Sequence, residues 1–182
     1  MGMPEWIPVP GSAKARLIEA ALHHFERAGF EGSNVTDIAA KASVTTGSLY
    51  HHFGSKLGLY TVVRTDLERR VTDRMEGAAE SAGMSDAIPD TPGDATCRAA
   101  VRSAVLVAFD AAVRFDACRV LGEPPPHDDA DPIEVTVRAM LSRDLEYAAG
   151  MLVAAWRSAL LNVAGGATVA PVRSALEFVI HD

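Results

Sequence analysis

The residues best suited to chemistry lie close together. Thr45-Thr46-Gly47-Ser48-Leu49-Tyr50-His51 sets three hydroxyls, a phenol and an imidazole around one glycine, with Thr36 shortly before and Lys56 just after. Such groups donate to phosphate oxygens, and a threonine methyl can touch the methyl of thymine. Leu49 and Phe53, four apart, mark the buried side of a helix, so Thr46, Gly47, Ser48, Tyr50 and His51 fall on the opposite side. Gly47 removes a side chain where the backbone could approach a partner. A short helix presenting small polar groups, a tyrosine and a histidine fits the major groove of DNA. Thr36 offers its hydroxyl at another helix start, where the helix dipole favours an anion. Lys56 adds a cation. The candidate DNA-contacting set is Thr36, Thr45, Thr46, Gly47, Ser48, Tyr50, His51 and Lys56.

Three helices must hold these groups. A first helix is expected from Ser12, as N-cap, to Ala28, stopped by Gly29, with Leu17, Ile18, Ala21, Leu22 and Phe25 inward. Val35, Ile38, Ala39 and Ala42 recur at i, i+3, i+4 and i+7 and give the second helix its buried face. Val44 closes the turn, and Thr45 or Thr46 caps the third helix. Phe30 is expected to complete the small core with Val35, Ile38, Leu49 and Phe53. The whole is a helix-turn-helix head.

Val35-Thr-Asp-Ile-Ala39, Gly47-Ser-Leu-Tyr-His-His-Phe53 and Ser55-Lys56 stand at the spacing of the DNA-binding domain of TetR family transcriptional regulators, which the chain resembles over about residues 13–62. The resemblance implies an all-α protein of about nine helices: a three-helix head and a helical ligand-binding and dimerisation body. It assigns DNA contacts to the matched positions above. It also implies a homodimer on a pseudo-palindromic operator and release of DNA by a small-molecule effector. Two positions depart from the family's pattern. Thr46 stands where a lysine is common, and Gly54 where a proline is common. The first removes a base from the recognition helix.

Charge gives DNA binding little support. The chain of 182 residues carries −7 at neutral pH. Five bases and five acids balance over residues 1–60, so the whole net charge lies beyond them. A neutral head on an acidic body makes a weak electrostatic footprint, and the alternative reading is a dimeric ligand- or protein-binding module whose helix-turn-helix no longer reads an operator. An enzyme is not expected, because the sequence holds no phosphate-binding glycine loop, nucleophile elbow or HExxH motif. No cofactor is implied. His127, Asp128, Asp129 and Asp131 could be imagined around a metal, but they sit in an acidic, proline-rich segment that reads as a solvated loop, and no metal is expected. Cys97 and Cys118 lack CxxC spacing and read as buried thiols. No signal peptide or membrane-spanning run is evident, which points to the cytoplasm.

The organisation expected is a flexible arm over 1–11, the head over 12–58, and the body over 59–182. Helix 4, from about 55 to 82, carries the stripe Tyr60, Val63, Leu67, Val71 and Met75. On its other side Arg64, Arg69, Arg70 and Arg74 alternate with Asp66, Glu68 and Asp73 as a solvated face. Further helices are expected at 95–114, 115–121, 133–141, 145–164 (capped by Ser142 or Asp144) and from Pro171. The helix at 145–164 is apolar nearly all round and rich in alanine, so it must be covered on most sides. With the last helix, at 171–181, it would form a four-helix bundle with a twofold mate. The pocket that the resemblance implies would draw on Phe109, Phe115, Met140, Tyr147, Met151 and Trp156, with the Trp156 indole N–H needing a partner if buried.

Overall fold

The computed structural model describes residues 11–83, 95–125, 130–142, 145 and 147–181. Among them are nine helices and no strand: α1 Ala13–Gly32, α2 Val35–Lys41, α3 Thr46–Phe53, α4 Lys56–Ser81, α5 Ala95–Arg114, α6 Cys118–Gly122, α7 Pro132–Ala139, α8 Ala148–Ala164 and α9 Val169–Val179. The all-α class with its N-terminal three-helix head is therefore the observed one. The chain divides into two compact units between Arg64 and Thr65, inside α4, six residues beyond the division expected from sequence. Most of the N-terminal arm, residues 1–10, lies outside the described residues.

In the first unit, Leu17, Phe25, Ile38, Leu49 and Leu59 are fully buried. Burying each such side chain contributes about 1.5–3 kcal/mol. The Tyr60 ring meets Phe25 and Phe30 edge-on, with centroids 5.0 and 5.1 Å apart. Phe30, Val35 and Phe53, expected in this core, are only half-buried at its margin. Ser12 caps α1 by accepting from the Ala15 N–H. Gly29 does not end α1; its φ of 71° makes a kink, and one more turn follows to Gly32. A left-handed φ costs a glycine little.

In the second unit the stripe Leu67, Val71 and Met75 of α4 is buried, as are Cys97, Ala100, Val101, Ala104, Val105, Ala108 and Ala112 of α5. The opposite side of α4 is less uniform than its charges suggest. Asp66 pairs with Arg69 and Arg70 in the open, and the Arg74 guanidinium lies over the Phe115 ring, 4.8 Å from its centroid. Glu68, however, is buried, and so is Arg64 of the first unit, whose guanidinium reaches the Tyr60 hydroxyl at 3.4 Å. A long aliphatic stem lets arginine share an apolar stripe; alternation of charge alone hides that.

α6 packs closely on α8, and Gly122 shows why. A Cβ there would lie 2.9 Å from Leu161 Cγ and 3.3 Å from Leu160 Cβ. The segment read as a loop from Gly122 onward thus begins inside α6. It ends at Asp131, which caps α7 by accepting from the Ile133 N–H at 3.0 Å. Asp131 also faces Arg157 of α8 in an ion pair whose side chains are only 12% and 14% exposed. The same guanidinium donates to the carbonyls of Leu121, at 3.1 Å, and Glu123. Asp131 is therefore committed to Arg157; His127, Asp128 and Asp129 lie outside the described residues. α8 starts at Ala148 rather than 145. Ser142 is buried and does not cap α8, and Asp144 lies outside the described residues.

Candidate nucleic-acid interface

Three short elements build the interface. Asn34 caps α2: its Oδ1 accepts from the Thr36 N–H at 2.8 Å, leaving the Thr36 side chain exposed at the helix start. The turn after α2 passes through Ser43 at φ 54°, and the Val44 N–H returns to the Ala39 carbonyl at 3.0 Å. A non-glycine residue in that conformation costs roughly 1 kcal/mol, which the surrounding turn must outweigh. Thr45, rather than Thr46, is the N-cap of α3, accepting from the Ser48 N–H at 3.2 Å. Its hydroxyl oxygen is thus occupied as an acceptor, while its hydrogen remains available for donation.

α3 sorts its residues as the spacing predicts. Leu49 is fully buried, Gly47, Tyr50 and His51 are exposed, and Thr46 and Ser48 are half-exposed. The polar groups therefore occupy one continuous solvent-facing side, with Thr36 available at the start of α2. Gly54 ends α3 at φ 73°. A proline, fixed near −65°, could not take that conformation, so this departure from the family's pattern belongs to a different turn. Gly58 escaped the sequence reading. A Cβ there would stand 2.2 Å from the Phe53 carbonyl oxygen, so glycine is what lets the end of α3 rest against α4.

Two cations of the head are held by backbone carbonyls. Arg16 donates from Nε to the Ala42 carbonyl at 2.9 Å and from Nη1 to the Gly11 carbonyl at 2.6 Å. Lys56 donates from Nζ to the carbonyls of Phe30, at 2.8 Å, and Ser33, at 3.2 Å, and lies 4.3 Å from the Phe30 ring centroid. The sequence placed Lys56 as a cation toward phosphate; the structure places its ammonium on the end of α1. Both bonds to α1 and α2 span some two dozen residues, beyond the reach of periodicity within one helix. His24 on α1 titrates below its ordinary value, chiefly through burial and then through repulsion from His23.

The six residues expected around an effector do not gather. Phe109, Met140 and Trp156 are buried on α5, just after α7 and on α8, three helices that pack on one another. The Trp156 indole N–H is buried with no hydrogen-bond partner among the described residues. Phe115 is half-buried under Arg74. Tyr147 and Met151 stand at the surface, 83% and 75% exposed. The buried face of α8 runs through Ala149, Val153, Trp156 and Leu160, and Met151 is off that face by helical rotation. No group of three or more metal-ligating side chains occurs among the described residues. No described helix is long and apolar enough to cross a membrane.

A compact three-helix unit whose third helix shows a polar, hydrogen-bonding side, followed by an all-helical body, defines a helix-turn-helix DNA-binding protein. Residues 17–63 match the family of bacterial regulatory proteins, tetR family. The chain is 34% identical over 71 residues to the HTH-type transcriptional regulator BetI of Paraburkholderia phytofirmans, covering 37% of this chain and 36% of that protein. It is 28% identical over 161 residues to the HTH-type transcriptional repressor DhaR of a Mycobacterium species, covering 82% and 81%. Its fold is shared with the fatty acid degradation regulator FadR of Bacillus halodurans, at a TM-score of 0.66 and 12% identity over 96% of each chain. A TetR-like transcriptional regulator of a Rhodococcus species gives 0.59 and 22%, again over 96% of each. The likeness to the tetR family of regulatory proteins is carried by the head, residues 17–63; the match to BetI spans about a third of that relative's length.

Proposed function

We propose that the protein is an operator-binding repressor that works as a homodimer and leaves DNA when a small molecule binds its body. The observation that carries this is the sorting of α3: Leu49 buried, and Thr46, Gly47, Ser48, Tyr50 and His51 on the solvent side. In this reading Thr45 and Thr46 meet phosphate or base edges at the start of α3, and Ser48 donates a further hydroxyl. Gly47 permits close approach, and Tyr50, His51 and Thr36 donate to phosphates. The likeness to DhaR, a repressor by name, supports repression over activation.

Dimerisation would use α8 and α9. Met151, Leu161, Phe178 and Val179 of these two helices are large apolar side chains left at the surface. Between the helices runs an open groove of about 370 Å³ lined by Ala155, Ala159, Val172, Ala175 and Leu176 among others. A pseudo-palindromic operator would ask such a dimer to present two recognition helices about 34 Å, one turn of DNA, or somewhat more apart. For the effector, Trp156 is the strongest of the six candidates, because a ligand acceptor would satisfy its buried N–H. Phe109 and Met140 share its packed helices, whereas Tyr147 and Met151 fit the dimer face better than a pocket.

The test is a reporter fused to the DNA flanking the protein's own coding region. Repression by the protein, relieved by a compound that also changes Trp156 fluorescence, supports the reading; an unchanged reporter and no salt-sensitive binding to any duplex overturn it.

A further inference from the structure

We infer that a seam of alternating charges, Arg102, Glu177, Arg173 and Asp110, positions α9 on its own protomer and so makes dimerisation weaken with salt; this rests on the reading of α8 and α9 as the dimer face. α9 has little of its own to hold it. It spans only Val169–Val179, and an isolated helix of that length is marginal in water. Thr168, at its N-cap, makes no side-chain bond to the first turn, which carries no acid, and the last turn carries no base. By contrast, the side chains of Ser12, Asn34, Thr45 and Asp131 cap α1, α2, α3 and α7. Burial adds little, since Leu176 alone of the α9 residues is buried in the described structure. Toward α8 the open groove of about 370 Å³ runs beside it.

Charge does the holding instead. Arg173, Leu176 and Glu177 share one side of α9 by helical spacing, and α5 supplies partners for both charges. Arg173 grips Asp110 through two bonds, of 2.8 and 2.9 Å, and Arg102 donates to Glu177 at 2.5 Å. Glu177 also stands 3.7 Å from Arg173, one turn away, which joins the two pairs into a single row. The outward side is apolar and open, with Phe178 82% and Val179 62% exposed. α9 is thus inverted relative to an ordinary surface helix, which turns its apolar stripe inward. An exposed ion pair contributes little alone, but a bidentate arginine within a network contributes more. These four side chains are between 37% and 48% exposed, so dissolved salt screens them. Apolar contact with a mate is not screened in that way. Salt therefore loosens the hold of α9 on α5, and a mate must then restore its order at an entropic cost.

The probe is sodium chloride, raised about tenfold in concentration, which shortens the range of charge interactions about threefold. In the full-length protein amide hydrogen exchange across Val169–Val179 is expected to accelerate about tenfold, the scale of losing two or three exposed pairs. Sedimentation should show the dimer weakening by a similar factor. Arg173→Gln/Glu177→Gln leaves the net charge of the chain unchanged and removes the α9 half of the seam. It should show the fast exchange and the weaker dimer already at low salt, and its response to sodium chloride should be lost. A role in packing alone would leave that response in place. Arg173→Lys, which keeps the charge but loses the bidentate grip, should fall between. Absence of a dimer at every protein concentration counts against the dimer reading, and exchange in α9 then still decides whether the seam positions the helix. Exchange in α9 that neither salt nor Arg173→Gln/Glu177→Gln alters overturns the inference. So does a dimer that salt strengthens while exchange in α9 accelerates.

Discussion

In the head, Leu17, Phe25, Ile38 and Leu49 vanish from the surface, and α3 turns Tyr50, His51 and its small hydroxyls outward. In the body, α8 and α9 bury Trp156, Leu160 and Leu176 yet leave Met151, Leu161, Phe178 and Val179 uncovered. Apolar burial drives both units, but with different outcomes. The head satisfies its own apolar atoms and offers hydrogen-bond donors, as suits a polar, anionic partner. The body retains an uncovered apolar strip, as suits a second copy of itself. The ionic contacts follow the same division. The head spends Arg16 and Lys56 on helix ends, whereas the body uses Arg157, Arg102 and Arg173 to tie element to element, Arg173 gripping Asp110 through two bonds of 2.8 and 2.9 Å.

Substitutions that act on one unit and spare the other sharpen this contrast. The largest effect is expected from Leu49→Ala, which opens a cavity in the head at a cost of about 2–5 kcal/mol. DNA binding should disappear while sedimentation still reports the oligomer of the unaltered protein. Arg157→Ala strands the Asp131 carboxylate and the carbonyls of Leu121 and Glu123, at a cost of about 3 kcal/mol. Chemical denaturation should show a body that unfolds early and a head that does not.

Met151→Glu combined with Phe178→Glu places charge on the uncovered strip. The chain should sediment as a monomer and bind a selected duplex about a hundredfold more weakly, the lower end of what linking two contacts contributes. If it binds as tightly as before, the contrast between the units is broken. The smallest effect is on pH. His24 titrates below its ordinary 6.5 in the folded head, so the unfolded chain binds its proton first. Head stability should be full above pH 6.5 and fall as pH drops through the folded value. A shallow decline in the urea midpoint between pH 7.5 and 5.5 that flattens in His24→Gln would show it.

Much of this is legible in the sequence. Ile38, Ala39, Leu49 and the stripe Tyr60, Val63, Leu67, Val71 and Met75 declare themselves by period, and Ser12 by its place before an amphipathic run. The exposed side of α3 follows once Leu49 is known to be inside. What escaped depends on contacts between distant residues. Lys56 reads as a surface cation until Phe30 and Ser33 are seen beneath it. Arg64 and Glu68 read as solvated because they alternate with charged neighbours, and nothing local marks their burial. Gly58 and Gly122 matter for atoms of other helices, Phe53 and Leu161. Tyr147 and Met151 looked like pocket residues because aromatic and sulfur-bearing side chains suit both a pocket and an interface; only the rotation of α8 separates the two.

The central claim is that the solvent-facing side of α3 reads DNA in pairs. Its most direct measurement is the sequence recovered when the full-length protein selects duplexes from a random pool, followed by binding of the winner to Tyr50→Phe/His51→Ala. The account predicts an inverted repeat with half-sites about 10 base pairs apart, bound in a salt-sensitive manner and at least tenfold more weakly by the double variant, the loss of two phosphate contacts. Recovery of no repeat, or equal binding by the double variant, would contradict it.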